Sequence, residues 1–153
     1  YLAGVDYSSS FKNMPYQLYT EWADTRTNRE AQGISYNHSI YKDGYYQHGF
    51  PLGHVMGGDG EMVSLGGDIR FDAMNRLNGR LLFAKVNQSG RITNAAFPET
   101  DDLTAIDLTW SHYLRPFVPI KINGWFSDSD LHGNDAGASI GIEIPLDKRV
   151  FHY

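Results

Sequence analysis

The chain lacks cysteine altogether and carries a slight acidic excess, with 13 Lys and Arg against 18 Asp and Glu in 153 residues. Without cysteine it can form neither a disulfide nor a thiolate metal centre. The net charge of -5 argues against a nucleic-acid partner, because phosphate contacts require clustered Lys and Arg. No apolar run approaches the ~18 residues that a membrane helix needs. A membrane β-barrel needs strands of only about 9–11 residues, so this class is not excluded.

Apolar and polar residues alternate over several segments, which is the pattern of a strand with one apolar face. In Val63–Asp72, Leu65 and Ile69 lie on one face, and Asp68 and Arg70 lie on the other. No segment shows apolar residues at helical spacing over three turns. The sequence therefore predicts an all-β, antiparallel protein of about eight strands. The predicted strands are Leu2–Tyr7, Tyr16–Ala23, Ile34–Tyr41, Val63–Asp72, Arg80–Val86, Ala105–His112, Phe117–Phe126 and Ala136–Ile144.

The predicted strands are joined by both short and long connections. Asn-Gly is the strongest short turn signal, so we place a hairpin turn at Asn78-Gly79, and Asn123-Gly124 could divide the seventh strand in the same way. The connections Lys42–Gly60, Gln88–Asp102 and Ser127–Asp135 are long, polar and rich in Gly, Asp and His. Short turns on one side and long loops on the other are typical of outer-membrane barrels.

Two architectures fit the alternation, a membrane barrel and a soluble β-sandwich. In a membrane barrel the polar set that includes Asp68, Arg70 and Asp72 lines a wet lumen, whereas in a soluble domain it faces the solvent. Aromatic residues near the predicted strand ends favour the barrel, because barrels carry aromatic girdles at both membrane interfaces. These residues are Tyr16, Tyr19, Trp22, Tyr36, Tyr41, Trp110, Tyr113, Trp125 and Phe126.

Motifs of catalysis and of metal binding are missing from the sequence. It contains no HExxH, no G-x-S-x-G and no Walker loop. Asp128–Gly133 is similar to the start of a calcium loop, but Ser139 stands where the bidentate Glu belongs, so we interpret the segment as a polar loop. A Ser-His-Asp triad assembled across strands stays open, because it is defined by geometry. We predict a protein that is not an enzyme and that uses neither a metal nor a cofactor.

The most distinctive segment is the loop Tyr41–Gly60, which combines Tyr, His and Asp with several glycines. Aromatic rings beside carboxylates and imidazoles suit a sugar, whose C–H face stacks on a ring while its hydroxyls form hydrogen bonds. An ordered loop that satisfies its own backbone groups would contain the same residue types. The candidate sugar-binding residues are Tyr41, Asp43, Tyr45, Tyr46, His48, His54 and Asp59.

The same loop carries a family resemblance. Its motif Tyr-x-Asp-Gly-Tyr at Tyr41–Tyr45, followed by Gly53-His54 and Gly57-x-Asp59, resembles the capsule assembly protein Wzi family of encapsulated Gram-negative bacteria. The resemblance implies an outer-membrane β-barrel of roughly eighteen strands, of which this chain is the C-terminal part. It also implies a surface lectin that holds capsular polysaccharide at the outer membrane without covalent chemistry.

The chain is thus predicted to be one β-barrel segment over residues 1–153. Since it starts at Tyr1 without an initiator Met or an export signal, we expect a fragment of a longer chain. The expected partners are capsular polysaccharide and outer-membrane lipid, without nucleic acid, and the oligomeric state is left open. Two alternatives stay open. One is an outer-membrane channel or hydrolase that uses charges such as Asp68, Asp107 and Glu143, and the other is a soluble β-sandwich carbohydrate-binding module.

Overall fold

The computed structural model describes residues 1–27, 34, 36–37, 40, 44–90, 94–115 and 118–144. The regular structure within these ranges is β-strand. Across the same ranges, no helix has the length and apolar character needed to cross a membrane. The strands are β1 (Leu2–Phe11), β2 (Met14–Asp24), β3 (Tyr46–Gln47), β4 (Phe50–Pro51), β5 (Glu61–Arg70), β6 (Asn75–Val86), β7 (Asp101–Arg115), β8 (Val118–Ser129) and β9 (Gly133–Ile142).

Seven of these strands form one antiparallel sheet in the order β1-β2-β5-β6-β7-β8-β9. β3 and β4 form a separate two-stranded ribbon inside the connection between β2 and β5. The edges of the described sheet are β1 and β9, which do not pair with each other, so the sheet is open. The predicted all-β antiparallel fold is confirmed, and an open meander of this kind is what part of a larger barrel contains.

The two faces of the sheet differ as the alternation predicts. We call the face that carries Leu65, Leu81 and Ile106 the apolar face; these side chains lie side by side in the register and are exposed. The opposite, polar face carries one polar residue from every strand in a single row. This row consists of Ser8, Gln17, Asp68, Asn78, Thr109, Asn123 and Ser139. A β-sandwich requires a second sheet on the apolar face, whereas the described residues form this sheet and the small ribbon.

Hydrogen bonds between neighbouring strands connect the side chains of the polar face. The Asn123 side-chain amide donates to Thr109 Oγ1 at 2.9 Å and to Asp107 Oδ2 at 2.9 Å. Arg76 Nε donates to Asp68 Oδ2 at 2.6 Å. Cross-strand pairs of this kind stabilise a sheet and keep its polar groups satisfied.

The turn between β5 and β6 lies at residues 71–74, so the turn predicted at Asn78-Gly79 is misplaced. Asp72 Oδ1 accepts hydrogen bonds from the backbone N–H groups of Met74, at 2.7 Å, and Asn75, at 2.8 Å. This side-chain cap fixes the turn earlier in the chain. Asn78-Gly79 then lies inside β6, opposite Thr109 and Leu108. Asn123-Gly124 likewise lies inside β8, which is one continuous strand.

The predicted strand Ile34–Tyr41 is also wrong at its described positions. Ile34, Tyr36, Asn37 and Ile40 are not in a strand, and the rest of the segment lies outside the described residues. Tyr36 has a positive φ of 69°, and the backbone N–H of Asn37 donates to the Ile34 carbonyl at 3.0 Å. A left-handed residue within a local turn ends any strand alternation at this point.

A small apolar core lies at the end of the sheet where β2 ends and β5 begins, which we call the loop end. Ala23, Met62, Ala84 and Val86 are buried there, and Met56 from the β2–β5 connection packs on them with 2% of its surface exposed. Ala23, Met62 and Ala84 share one row of the register, on the side of the polar face. The β2–β5 connection therefore folds over the polar face at the loop end instead of extending away from it.

Candidate functional site

The long connections β2–β5 and β6–β7 and the β8–β9 turn all lie at the loop end, because the strands are antiparallel. Within the first connection, the β3–β4 ribbon turns at His48 and Gly49, whose φ angles are 52° and 83°. Two successive positive φ angles are typical of a tight type I′ hairpin turn. His48 therefore lies exposed at the tip of the ribbon.

Three tyrosine rings cluster at the base of the ribbon. The Tyr36 ring lies 5.7 Å from the Tyr45 ring, at an angle of 77°, and 5.8 Å from the Tyr46 ring. Tyr36 also accepts a hydrogen bond at its hydroxyl from the backbone N–H of His54. Tyr45 is 56% exposed, whereas Tyr46 is only 7% exposed. The exposed Tyr45 ring thus packs on Tyr36, and Tyr36 packs on the buried Tyr46 ring.

Asn94 joins the β2–β5 connection to the β6–β7 connection. Its side-chain Nδ2 donates to the carbonyls of Met56 at 3.1 Å and Gly58 at 2.7 Å. Its Oδ1 accepts from the Tyr46 hydroxyl at 3.2 Å and from the backbone N–H groups of Ala96 and Phe97 at 3.1 Å each. Because Asn94 is buried, these hydrogen bonds hold the tyrosine cluster and the Phe97 segment in fixed positions.

Two of the candidate sugar-binding residues are buried and bonded within the protein. The Tyr46 hydroxyl accepts from the Gly58 backbone N–H at 3.1 Å, and burial raises the pKa of this phenol. Asp59 Oδ2 accepts from the backbone N–H of Ser89 at 2.6 Å, and the Asp59 carbonyl accepts from Gln88 at 3.1 Å. Both side chains fix the shape of the connections in this structure.

The other candidates are distributed over the loop end. Tyr45 and His48 are exposed, and His54 is half-buried. Tyr41 and Asp43 lie outside the described residues. His54 borders a cleft of 620 Å³ beside β1 and β2, which we call the first cleft. Its polar lining includes Asp24, Thr25, Arg26 and Tyr36.

The polar groups of the first cleft are held by their neighbours. Arg26 forms ion pairs with Asp24 at 2.6 Å and with Glu61 at 2.9 Å. His54 Nδ1 accepts from the backbone N–H of Met56 at 3.4 Å, which requires the neutral ring. The cleft therefore combines a tyrosine ring with imidazole, hydroxyl, carboxylate and guanidinium groups, a set that can donate to and accept from sugar hydroxyls.

The His54 environment gives the loop end a predicted pH dependence. Burial lowers the pKa of His54 below its ordinary value of 6.5, and Glu21 acts in the opposite direction. His54 therefore binds a proton more tightly when the connection is unfolded than when it is folded. The free energy of unfolding of the connection is highest above pH 6.5 and decreases as the pH falls through the folded-state pKa of His54. We expect residues 53–60 to exchange amide hydrogen faster at about pH 5 than at about pH 7.5, after correction for intrinsic rates.

Two histidine variants test this prediction by hydrogen exchange. In His54→Gln the corrected exchange rates should become independent of pH over this range, because the titrating group is gone. The matched variant His48→Gln, at the exposed ribbon tip, should keep the wild-type pH dependence. Equal pH dependence in wild type and His54→Gln would show that another group is responsible.

A second groove lies on the polar side of β7, β8 and β9 at the loop end. It has a volume of 580 Å³ and is lined by Ala96, Phe97, Pro98, Glu99, Asp101, Leu103, Ser127, Ser129, Leu131, His132, Gly133, Asn134 and Asp135. The predicted long loop Ser127–Asp135 is a short turn here, because β8 ends at Ser129 and β9 begins at Gly133. The sequence contained the groove's residues, but nothing in their spacing indicated that the two connections meet.

Comparisons with known proteins agree with each other. The family model described as capsule assembly protein Wzi matches residues 1–138. An uncharacterized 55.8 kDa protein in the cps region of Klebsiella pneumoniae is 38% identical over 147 residues, which cover 95% of this chain and 29% of that protein.

A solved structure is similar in both sequence and fold. It is Wzi of Escherichia coli, described as an outer membrane protein involved in group 1 capsule assembly and as a carbohydrate binding β-barrel. The two structures match with a TM-score of 0.79 and 38% identity, over 95% of this chain and 33% of that chain. The chain therefore spans about a third or less of the length of these two relatives.

Proposed function

Because the chain belongs to the capsule assembly protein Wzi family, we propose that it is a segment of an outer-membrane β-barrel that binds capsular polysaccharide and attaches the capsule to the cell surface. The strands form part of the barrel wall, with the apolar face in contact with outer-membrane lipid. The loop end faces outward and carries the glycan contacts. The protein acts by binding and performs no covalent chemistry.

The apolar face has dimensions that suit a lipid contact. On β5 and the following turn it extends from Val63 to Phe71, a length of about 27 Å at about 3.4 Å per residue. A strand tilt of about 40° reduces this to about 21 Å, close to the ~25 Å apolar band of outer-membrane barrels. Exposed apolar side chains of this extent require a partner, and lipid is the partner that a barrel wall provides.

The observation that carries the glycan proposal is the supported tyrosine cluster at the loop end. The exposed Tyr45 ring packs edge-on against Tyr36, which in turn packs against the buried Tyr46 ring. His48 and His54, which borders the first cleft, lie on the same connection. A rigid, exposed ring beside polar groups is suited to stack on a sugar while its hydroxyls are bonded. Each contact is weak, so attachment depends on many sugar repeats engaging many proteins.

Tyr45 provides the test of this function. We expect Tyr45→Ala in the complete protein to weaken binding of purified capsular oligosaccharide by about five-fold, since one stacking contact is worth about 1 kcal/mol. Tyr45→Phe is the matched control and should bind within about two-fold of wild type, because it keeps the ring. Binding can be measured by titration calorimetry in detergent micelles.

The proposal fails if the folded wild-type protein binds no capsular oligosaccharide. The tyrosine assignment alone fails if Tyr45→Ala and Tyr45→Phe bind with the same affinity as wild type. A further double variant, Tyr45→Ala with His48→Ala, tests whether the ribbon tip contributes to the same contact. Tyr41 and Asp43 are further proposed sugar contacts, inferred from the sequence alone.

A further inference from the structure

We propose that the groove between the β6–β7 connection and the β8–β9 turn is a second glycan subsite, and that it takes uncharged sugar residues of the same polysaccharide. This inference rests on the proposed function and adds to it a location and a sugar class. The groove lies beside β7, β8 and β9, whereas the first cleft lies beside β1 and β2. It is a separate site at the same end of the sheet.

Both walls of the groove are held in place by buried polar side chains. On one wall, Asn94 Oδ1 accepts from the backbone N–H groups of Ala96 and Phe97. On the other wall, Asp101 accepts from the Leu131 backbone N–H at 3.1 Å and from the Ser129 hydroxyl at 2.7 Å. Asn94 and Asp101 are both buried. A ligand therefore meets a preformed groove and does not have to order its walls.

The lining chemistry indicates the kind of ligand. Phe97 offers an aromatic ring, and Leu131 adds apolar surface, so the C–H face of a sugar can pack there. His132, Asn134, Ser127 and the carboxylates can bond its hydroxyls.

The charge of the groove selects among sugars. Glu99, Asp101 and Asp135 lie in its lining, and none of the described residues that form it is Lys or Arg. A carboxylate-bearing sugar is therefore repelled, whereas an uncharged sugar can use the same carboxylates as hydrogen-bond acceptors. The first cleft differs, because its lining contains Arg26 as well as Asp24, and these two side chains form an ion pair. The groove thus repels carboxylate-bearing sugars more strongly than the first cleft does.

The spacing of the two subsites suits one extended glycan. The core capped by Met56 lies over β5 and β6, between the cleft at β1 and β2 and the groove at β7 to β9. Four strand spacings of about 4.8 Å separate β2 from β8, which gives about 19 Å. Several sugar units bridge this distance, so the second contact is formed at high effective concentration once the first exists.

The experiment compares native capsular oligosaccharides with the same oligosaccharides after chemical reduction of their carboxyl groups, using the complete protein. We expect Phe97→Ala to weaken binding of both forms by about five-fold. Phe71→Ala, at the short turn on the opposite end of the sheet, is the matched control and should leave both affinities unchanged. Because Phe97 packs against the core, folding of each variant is checked by its heat-modified mobility on a detergent gel.

A second variant decides the question if Phe97→Ala does not fold. In Glu99→Gln combined with Asp135→Asn, both exposed carboxylates become neutral with little change of shape. We expect the ratio of native to reduced affinity to rise several-fold, because the repulsion of charged sugars is relieved. The inference is overturned if this ratio is unchanged, or if folded Phe97→Ala binds with wild-type affinity. The proposed function is tested separately by Tyr45→Ala. Absence of binding by the wild type overturns both.

Discussion

Replacing Leu18 by Arg should lower the free energy of unfolding from a bilayer by about 2–4 kcal/mol, since this is the cost of Arg on the lipid face near the midplane. Leu18 lies on the apolar face in the middle row of the sheet, between Tyr7 and Gly67, and is 54% exposed. In a barrel wall that exposed surface faces hydrocarbon, where a guanidinium has no hydrogen-bonding partner. The effect is measured by reversible denaturant unfolding of the complete protein in phospholipid vesicles.

Gln17→Arg is the matched control for this prediction. Gln17 is the preceding residue, is exposed, and lies on the polar face between Ser8 and Asp68. In the proposed barrel an Arg at this position faces the lumen and should change the free energy of unfolding by no more than about 0.5 kcal/mol. Equal destabilisation by the two variants would mean that the apolar face does not contact lipid.

Truncating Asn94 to Ala should lower the free energy of opening of the loop end by about 3 kcal/mol. The Asn94 side chain donates to two backbone carbonyls and accepts from a phenol and two backbone N–H groups, all in a buried position. Each buried group left without its partner costs about 1–3 kcal/mol. We expect amide exchange at Gly58 and Phe97 to accelerate by about 100-fold.

Gln88→Ala is the control for Asn94→Ala. Gln88 carries an amide of similar chemistry on the same β6–β7 connection, but its side chain is exposed. Its removal should change exchange at the same amides by less than about two-fold. Wild-type exchange rates in Asn94→Ala would show that the two connections are held together by other contacts.

The strands and their two faces could be predicted because the alternation of apolar and polar residues has the period of a strand. In β5, for example, the structure places Leu65 and Ile69 on the apolar face and Asp68 on the polar face, as the alternation predicts. The turns were harder to predict. Asn78-Gly79 has strong local turn propensity, but its cross-strand pairing and the cap that Asp72 provides outweigh that propensity.

The residue types of the candidate site could be predicted from the sequence, but their exposure and contacts could not. The sequence located the Tyr- and His-rich connection, but exposure decides what each ring can do, and Tyr45 and Tyr46 differ in this although they are adjacent. Asp59 is of a residue type that often binds sugars, yet its carboxylate accepts a hydrogen bond from the Ser89 backbone N–H. Asn94 and Phe97 were missed, because their contacts join segments that are far apart in the sequence.

The two Asn-Gly pairs inside β6 and β8 also affect the rate at which the protein is degraded by deamidation. Deamidation at Asn-Gly proceeds through a cyclic succinimide, which forms when the glycine nitrogen attacks the Asn side-chain carbonyl. At Asn78 and Asn123 the strand backbone and its ladder hold that nitrogen away from the attack geometry. A folded copy is thereby protected at both positions, whereas an unfolded copy accumulates isoaspartate. Folding of the sheet thus determines how fast these two sites deamidate.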